Sequence, residues 1–162
     1  MKKRAPFITF EGIEGVGKST QVRAVNDHYR KLGLKVFCTR EPGGSPLSDR
    51  IRNVLLRSSD VSIDPISELL LIVTARRQHV VDVLEKEILQ NDLVFCDRFI
   101  DSSMAYQGGG RQIDLEWISS LNQKVIKGLI PDLTVLLDAP VEQALARAMK
   151  RMEKAKMGEA ED

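Results

Sequence analysis

Phe7-Ile-Thr-Phe-Glu-Gly-Ile-Glu-Gly-Val-Gly-Lys-Ser-Thr20 decides how the rest of the chain is read. Its first four residues form a short apolar run bounded by Pro6 and a glycine-rich stretch, the pattern of a buried strand. Gly12 to Ser19 then fits G-x-x-x-x-G-K-[ST]. From Lys18 the spacing of Val22, Val25, Tyr29 and Leu32 is helical and stops at Gly33. A glycine-rich loop between a strand and a helix is a phosphate cradle. Its backbone N–H groups turn inward, and the helix N-terminus adds partial positive charge. Gly12, Glu14, Gly15, Val16, Gly17, Lys18, Ser19 and Thr20 are therefore the expected ATP-binding segment. Lys18 is expected to bridge the β- and γ-phosphates, and the Ser19 hydroxyl to ligate magnesium. The competing explanation is a glycine-rich turn that matches by accident; the strand before it and the helix after it argue against that.

Outward from this loop, strands and helices alternate. Leu34 to Thr39 reads as a second strand, followed by a loop at Glu41-Pro-Gly-Gly44. A helix is expected after Ser48, with Ile51 and Leu55 on one face, and a longer helical region, broken once, from Asp64-Pro65 to Gln90. Leu93-Val-Phe-Cys96 is a third strand, Gly108 to Gly110 a loop, and Leu115 to Ile126 an amphipathic helix. Leu133 to Leu137 is a fourth strand, and Pro140 opens a last helix. The alternation predicts an α/β fold with a mostly parallel sheet covered by helices on both faces. No repeat, low-complexity segment or linker divides the chain, so one domain over 1–162 is expected. The segment from Lys150 onward is charged and is expected to be mobile.

Bulk properties narrow the function. The 162 residues are 43% hydrophobic and 29% charged with net charge +1, which gives no reason to expect a nucleic-acid or membrane partner. No apolar run approaches the length that spans a bilayer, and the basic Met1 to Pro6 lacks the apolar region of a signal peptide. Cys38 and Cys96 are far apart, sit in apolar runs and are expected to be buried free thiols in a reducing cytoplasm. There is no N-K-x-D segment to read guanine and no D-x-x-G after the third strand. That strand ends instead in Asp97-Arg98, a carboxylate that can hold magnesium through water beside an arginine that can pair with a second phosphate. The alternative for this pair is a surface ion pair at a strand end.

Four stretches together resemble the thymidylate kinase family: Phe10 to Thr20, Thr39-Arg-Glu-Pro-Gly-Gly44, Asp97-Arg-Phe-Ile-Asp-Ser-Ser-Met-Ala-Tyr-Gln-Gly108, and Pro131-Asp132 leading to Leu137-Asp138. The resemblance implies a three-layer P-loop NTPase fold and transfer of the ATP γ-phosphate to dTMP, giving dTDP and ADP for dTTP synthesis. It implies Lys18, Asp97, Arg98 and Arg151 as catalytic residues and Mg2+ held at Ser19, Asp97 and Glu41. Glu14 would meet the sugar 3′-hydroxyl, Arg40 and Arg98 would clamp the acceptor phosphate, and Arg52 would approach the acceptor from its helix. Pro42 and Ile72 would flank thymine, Arg76 would donate to a thymine carbonyl, and Ser103 and Gln107 would read the base edge. Tyr106 would sit against the sugar and disfavour a 2′-hydroxyl. A cytoplasmic homodimer packed through helices is also implied.

Three departures stand out. Ile72 occupies a position where the family usually has a phenylalanine, which removes a stacking contribution on the order of 1 kcal/mol. The phosphate loop has no arginine between its glycines, which directs attention to a basic lid beginning at about 147, with Arg147 and Arg151 as candidates. Family members also continue past Asp162 with more lid and a final strand, so the fold is expected to be C-terminally incomplete, with an exposed sheet edge if the chain ends there. Two other functions fit less of the sequence. One is a related kinase with a different acceptor, favoured by Ile72 and opposed by Thr39-Arg-Glu-Pro-Gly and Tyr106-Gln107. The other is a nucleotide-binding module without catalysis.

Overall fold

A computed structural model describes residues 4–57 and 62–156. Its sheet has four parallel strands in the order β2-β3-β1-β4, with β1 at Phe7–Glu11, β2 at Val36–Arg40, β3 at Leu93–Asp97 and β4 at Leu133–Leu136. β1 lies between β3 and β4, with Phe7 opposite Val94 and Ile8 opposite Leu133. A strand with neighbours on both edges and helices on both faces is buried throughout, and all five β1 residues are.

The alternation of side chains along β1 divides the core. Phe7 points to one side with Val94, Cys96, Phe99, Val80, Leu84, Ile88 and Ile126. Ile8 and Phe10 point to the other, with Val22, Val36 and Phe95. Helix α1, Lys18–Lys31, covers the second face. The first face is covered by α3 at Pro65–His79, a π-helical turn at Val80–Leu84, α4 at Glu85–Gln90, and α6 at Leu115–Ile126. Helix α2, Pro46–Arg57, packs against α3, and the short α5 spans Ile100–Ser103. The last helix, α7, runs over Val141–Lys156.

The expected α/β architecture holds, with local corrections. β2 starts two residues later than Leu34 because Leu34 still bonds back to Tyr29 at the end of α1. The long helical region is not interrupted by a loop; it widens by a π turn and continues. Gly108 to Gly110 end a second π turn, Met104–Gly110, where composition alone suggested a loop. The charged segment from Lys150 is helical through Lys156, carried on the register that buries Ala144 and Ala148; 157–162 lie outside the described residues. Cys96 is buried, but Cys38 is exposed: it shares the face of the buried Val36 but lies further along β2, an edge strand with a neighbour on one side only. At the other edge of the described sheet, Leu133 and Leu136 are exposed on β4.

Candidate active site

The loop after β1 is shaped by close approach. A Cβ at Gly15 would run into the Ala144 carbonyl oxygen, and Gly15 has φ of +78°, so a side chain there is excluded by both space and backbone. Helix α7 therefore lies directly on the phosphate loop. Its Arg151 donates to Glu14 Oε1 at 3.0 Å, a solvent-exposed pair. Arg147, Lys150 and Lys154 on the same helix are exposed.

Lys18 folds back over its own loop, with Nζ donating to Gly12 O at 2.9 Å and Ile13 O at 2.8 Å. Burial, reinforced by nearby Arg98, lowers its pKa from the ordinary lysine value. Ser19 Oγ donates to Asp97 Oδ2 at 2.7 Å, which joins the start of α1 to the end of β3. Arg98 follows with φ of +72°, a conformation uncommon for a side-chain-bearing residue. Its guanidinium donates to Gly12 O at 3.1 Å, Ser102 Oγ at 3.2 Å and the Tyr106 hydroxyl at 3.2 Å, and lies 5.0 Å from the Tyr106 ring centroid.

Glu11, buried on β1, holds this turn in place. It accepts from Phe99 N at 2.7 Å and Ser102 Oγ at 2.6 Å. Burial pushes its carboxyl above the ordinary value despite these bonds.

Glu41 follows β2 and is fully enclosed. Its Oε2 accepts from Arg76 Nε at 2.7 Å, and its Oε1 accepts from His79 Nδ1 at 3.0 Å. The other ring nitrogen, His79 Nε2, lies 2.7 Å from Thr39 Oγ1. Burial alone would raise the Glu41 carboxyl, but Arg76 and His79 outweigh it and hold the pKa below the usual carboxylate value. Arg76 also donates to Ser103 Oγ at 3.0 Å, Asn122 Oδ1 at 2.6 Å and Phe99 O at 2.9 Å. One of its five N–H groups is left. Glu41, expected to help place magnesium or its waters, has each oxygen engaged by one protein donor and ties Arg76 and His79 together at the cavity wall.

Two cavities meet at these groups. One, of about 440 Å³, is lined by Glu14, Gly15, Gly17, Lys18, Ser19, Thr20, Arg40, Glu41, Arg52, Asp97, Arg98 and Arg151. The second, of about 340 Å³, is lined by Glu14, Glu41, Pro42, Arg52, Ile72, Arg76, Arg98, Ser103, Tyr106 and Gln107, among others. Every residue expected on the acceptor side lines the second cavity except Arg40, which lines the first. Arg52 donates to Pro42 O at 2.8 Å; burial and then Arg40 lower its pKa. Val16 is buried and packs under the loop without lining either cavity, and Gly12 contributes through its carbonyl.

Sequence reading missed three participants. Glu68 lines the second cavity, where its Oε1 accepts from Gln107 Nε2 at 2.8 Å and its Oε2 from Arg111 at 2.7 Å. Glu11 and Asn122 were missed as well. For Glu68 a signal existed: it shares a helix face with Ile72 and Arg76 at intervals of four residues, and His79, read from sequence as a structural or surface residue of that helix, is buried beside them.

The family model described as thymidylate kinase matches residues 10–162. The chain is 48% identical over 156 residues to a thymidylate kinase of Geotalea daltonii, covering 96% of this chain and 73% of that one. It is 50% identical over 149 residues to a thymidylate kinase of Pelobacter propionicus, covering 92% and 68%. The fold matches the crystal structure of thymidylate kinase from Ehrlichia chaffeensis with TM-score 0.79 and 36% identity, covering 96% of this chain and 89% of that one.

The chain belongs to the thymidylate kinase family. As a member of that family it is an enzyme that phosphorylates dTMP to dTDP in dTTP synthesis, with ATP as phosphate donor. The parallel sheet, phosphate loop and flanking helices agree with the P-loop NTPase fold of its structural relative.

Proposed function

We propose that the two cavities hold the two substrates side by side, ATP phosphates on the loop and dTMP in the cavity floored by Arg76. The observation that carries this is their common wall: Glu14, Glu41, Arg52 and Arg98 line both. In this arrangement Lys18 exchanges the Gly12 and Ile13 carbonyls for β- and γ-phosphate oxygens. Arg40 and Arg98 take the acceptor phosphate, with Arg52 supporting it, because a guanidinium fork binds phosphate oxygens in pairs. The dTMP phosphate is a good nucleophile without a protein base, being largely dianionic at neutral pH. One of its oxygens attacks the γ-phosphorus, the bridging bond to the β-phosphate breaks, and ADP leaves. Arg151, carried over the loop by α7, supplies charge to the oxygens that gain it in transfer.

The base lies against Pro42 and Ile72, with Arg76, Ser103 and Gln107 along its edge. Glu14 faces the sugar 3′-hydroxyl, and Tyr106 leaves no room for a 2′-hydroxyl. Ser19 and Asp97 fit Mg2+, a hydroxyl and a carboxylate being hard oxygen donors already 2.7 Å apart. Ser19 and Asp97 would hold the ion together with oxygens of the bound phosphates. Bound there, magnesium would neutralise charge on the β- and γ-phosphate oxygens.

The chain acts as a single kinase domain with its lid beginning at about 147, as a cytoplasmic homodimer without nucleic-acid or membrane partners. Among the described residues no helix is long and apolar enough to cross a membrane. Arg98→Ala tests the proposal: kcat should fall about a thousandfold while ATP affinity changes little. Arg98→Lys should recover only part of the loss. An Arg98→Ala enzyme within threefold of the parent kcat would rule out the shared-wall arrangement.

A further inference from the structure

Glu68 has no part in the phosphoryl transfer described above, yet it stands in the wall of the nucleotide cavity. It sits in the first turn of α3, and its two oxygens are divided between Gln107 and Arg111. Burial raises its carboxyl, but the hydrogen bonds from Arg111 and Gln107 outweigh it, so its pKa is below the ordinary value and it is ionised at neutral pH. An ionised carboxylate only accepts. The end of the Gln107 amide that meets it must therefore be the nitrogen. Turning the amide over would set two oxygens against each other at the 2.8 Å that now separates donor and acceptor. Gln107 is itself buried, and its backbone carbonyl accepts from Ile113 N at 3.1 Å, so the side chain has little freedom to escape.

This has a consequence for the base. With the nitrogen held at Glu68 through one of its N–H groups, the Gln107 carbonyl is the acceptor that the amide offers to the cavity it lines. Arg76, whose remaining N–H is the only kind of group it can offer, supplies a donor in the same cavity. A donor beside an acceptor matches a pyrimidine with a ring carbonyl next to a protonated ring nitrogen. An amino pyrimidine presents the reverse order, an N–H2 beside a bare ring nitrogen, and would face donor with donor and acceptor with acceptor. A site built to hydrogen-bond one pattern rejects its opposite strongly, because the mismatched groups stay buried and unpaired.

We propose that Glu68 is a specificity-determining positioning residue: by holding the Gln107 amide nitrogen it fixes the acceptor that selects keto over amino pyrimidine monophosphates. The inference rests on the placement of the base in the cavity lined by Arg76 and Gln107. Arg111 completes the device by occupying the second oxygen, which keeps Glu68 from turning toward the base.

The test is the ratio of kcat/KM for dTMP over dCMP. Glu68→Gln keeps the size of the side chain but can both donate and accept, so the Gln107 amide is free to turn. It should lower the ratio by about tenfold or more and raise KM for dTMP, with kcat on dTMP and KM for ATP within about twofold of the parent. The exchanged pair E68Q/Q107E restores an obligate acceptor at position 107, held by a donor at 68, and should return the ratio toward that of the parent. A structural role alone would lower thermal stability in E68Q without moving the ratio. An unchanged ratio in E68Q overturns the proposal, and so does an exchanged pair that folds and discriminates no better than a tenth of the parent. Failure of the unsubstituted protein to turn over dTMP would overturn the placement of the base, and this inference with it.

Discussion

Glu41 gives one carboxylate oxygen to Arg76 and the other to His79, and neither partner is exposed to solvent. Its folded pKa lies below the ordinary carboxylate value, so the folded state favours its charged form. The sign follows: that stability is fully present above the ordinary carboxylate pKa and is lost as pH falls through the lower folded value. Glu41→Gln leaves Arg76 buried without its counter-charge and should cost about 3 kcal/mol near pH 7. Its stability should also depend less on pH in the acid range than the parent's. Chemical denaturation from pH 3 to pH 7 checks both; parallel pH curves for the two proteins would show that Glu41 is not the source of the acid dependence. At this scale the sequence revealed residues tied to short motifs, such as Lys18, Ser19 and Asp97. It did not reveal the buried partners of Glu41, because the motif Thr39-Arg-Glu-Pro-Gly-Gly44 does not state what faces its carboxylate. His79 completes that network from the same helix as Arg76, at a spacing the sequence shows, whereas Asn122 comes from the distant α6 and carries no local signal of it.

Among the elements, α3 does the most to position the site. One face supplies Glu68, Ile72 and Arg76 to the nucleotide cavity, while Leu69 and Val73 pack toward α6. Its remaining face carries Ile66 and Leu70, four residues apart and both exposed, and α6, which packs on α3, exposes Leu115 and Trp117. Apolar residues on adjoining helices form the kind of patch that buries against a second copy. Sedimentation should therefore give the parent a mass of twice 18.2 kDa, and Leu70→Glu a mass of about half that. A monomeric parent, or a Leu70→Glu protein that remains dimeric, would remove this face as the interface. Helix and strand identities were legible because hydrophobic spacing is local. The two π turns were not: an extra residue in a helical turn leaves the apolar pattern nearly unchanged, and at Gly108 to Gly110 composition pointed to a loop. Helix α7 was underestimated for the opposite reason, since Arg147, Lys150, Arg151 and Lys154 face solvent while its buried register is carried by the small Ala144 and Ala148.

For the whole molecule, parallel strands bring every loop that matters to one edge of the sheet. The phosphate loop follows β1, Arg40 and Glu41 end β2, and Asp97 and Arg98 end β3. Strand alternation made this layout legible in advance. The side-by-side cavities were not, because they depend on how α2, α3 and α7 close over that edge. The central claim is that this common wall passes phosphate from ATP to dTMP. The most direct measurement supplies the purified protein with ATP, magnesium and each nucleoside monophosphate in turn and follows ADP release. The predicted result is turnover with dTMP, much less with dUMP and almost none with UMP or dCMP. Equal turnover of dCMP, or ATP binding without dTMP-dependent ADP release, would contradict it.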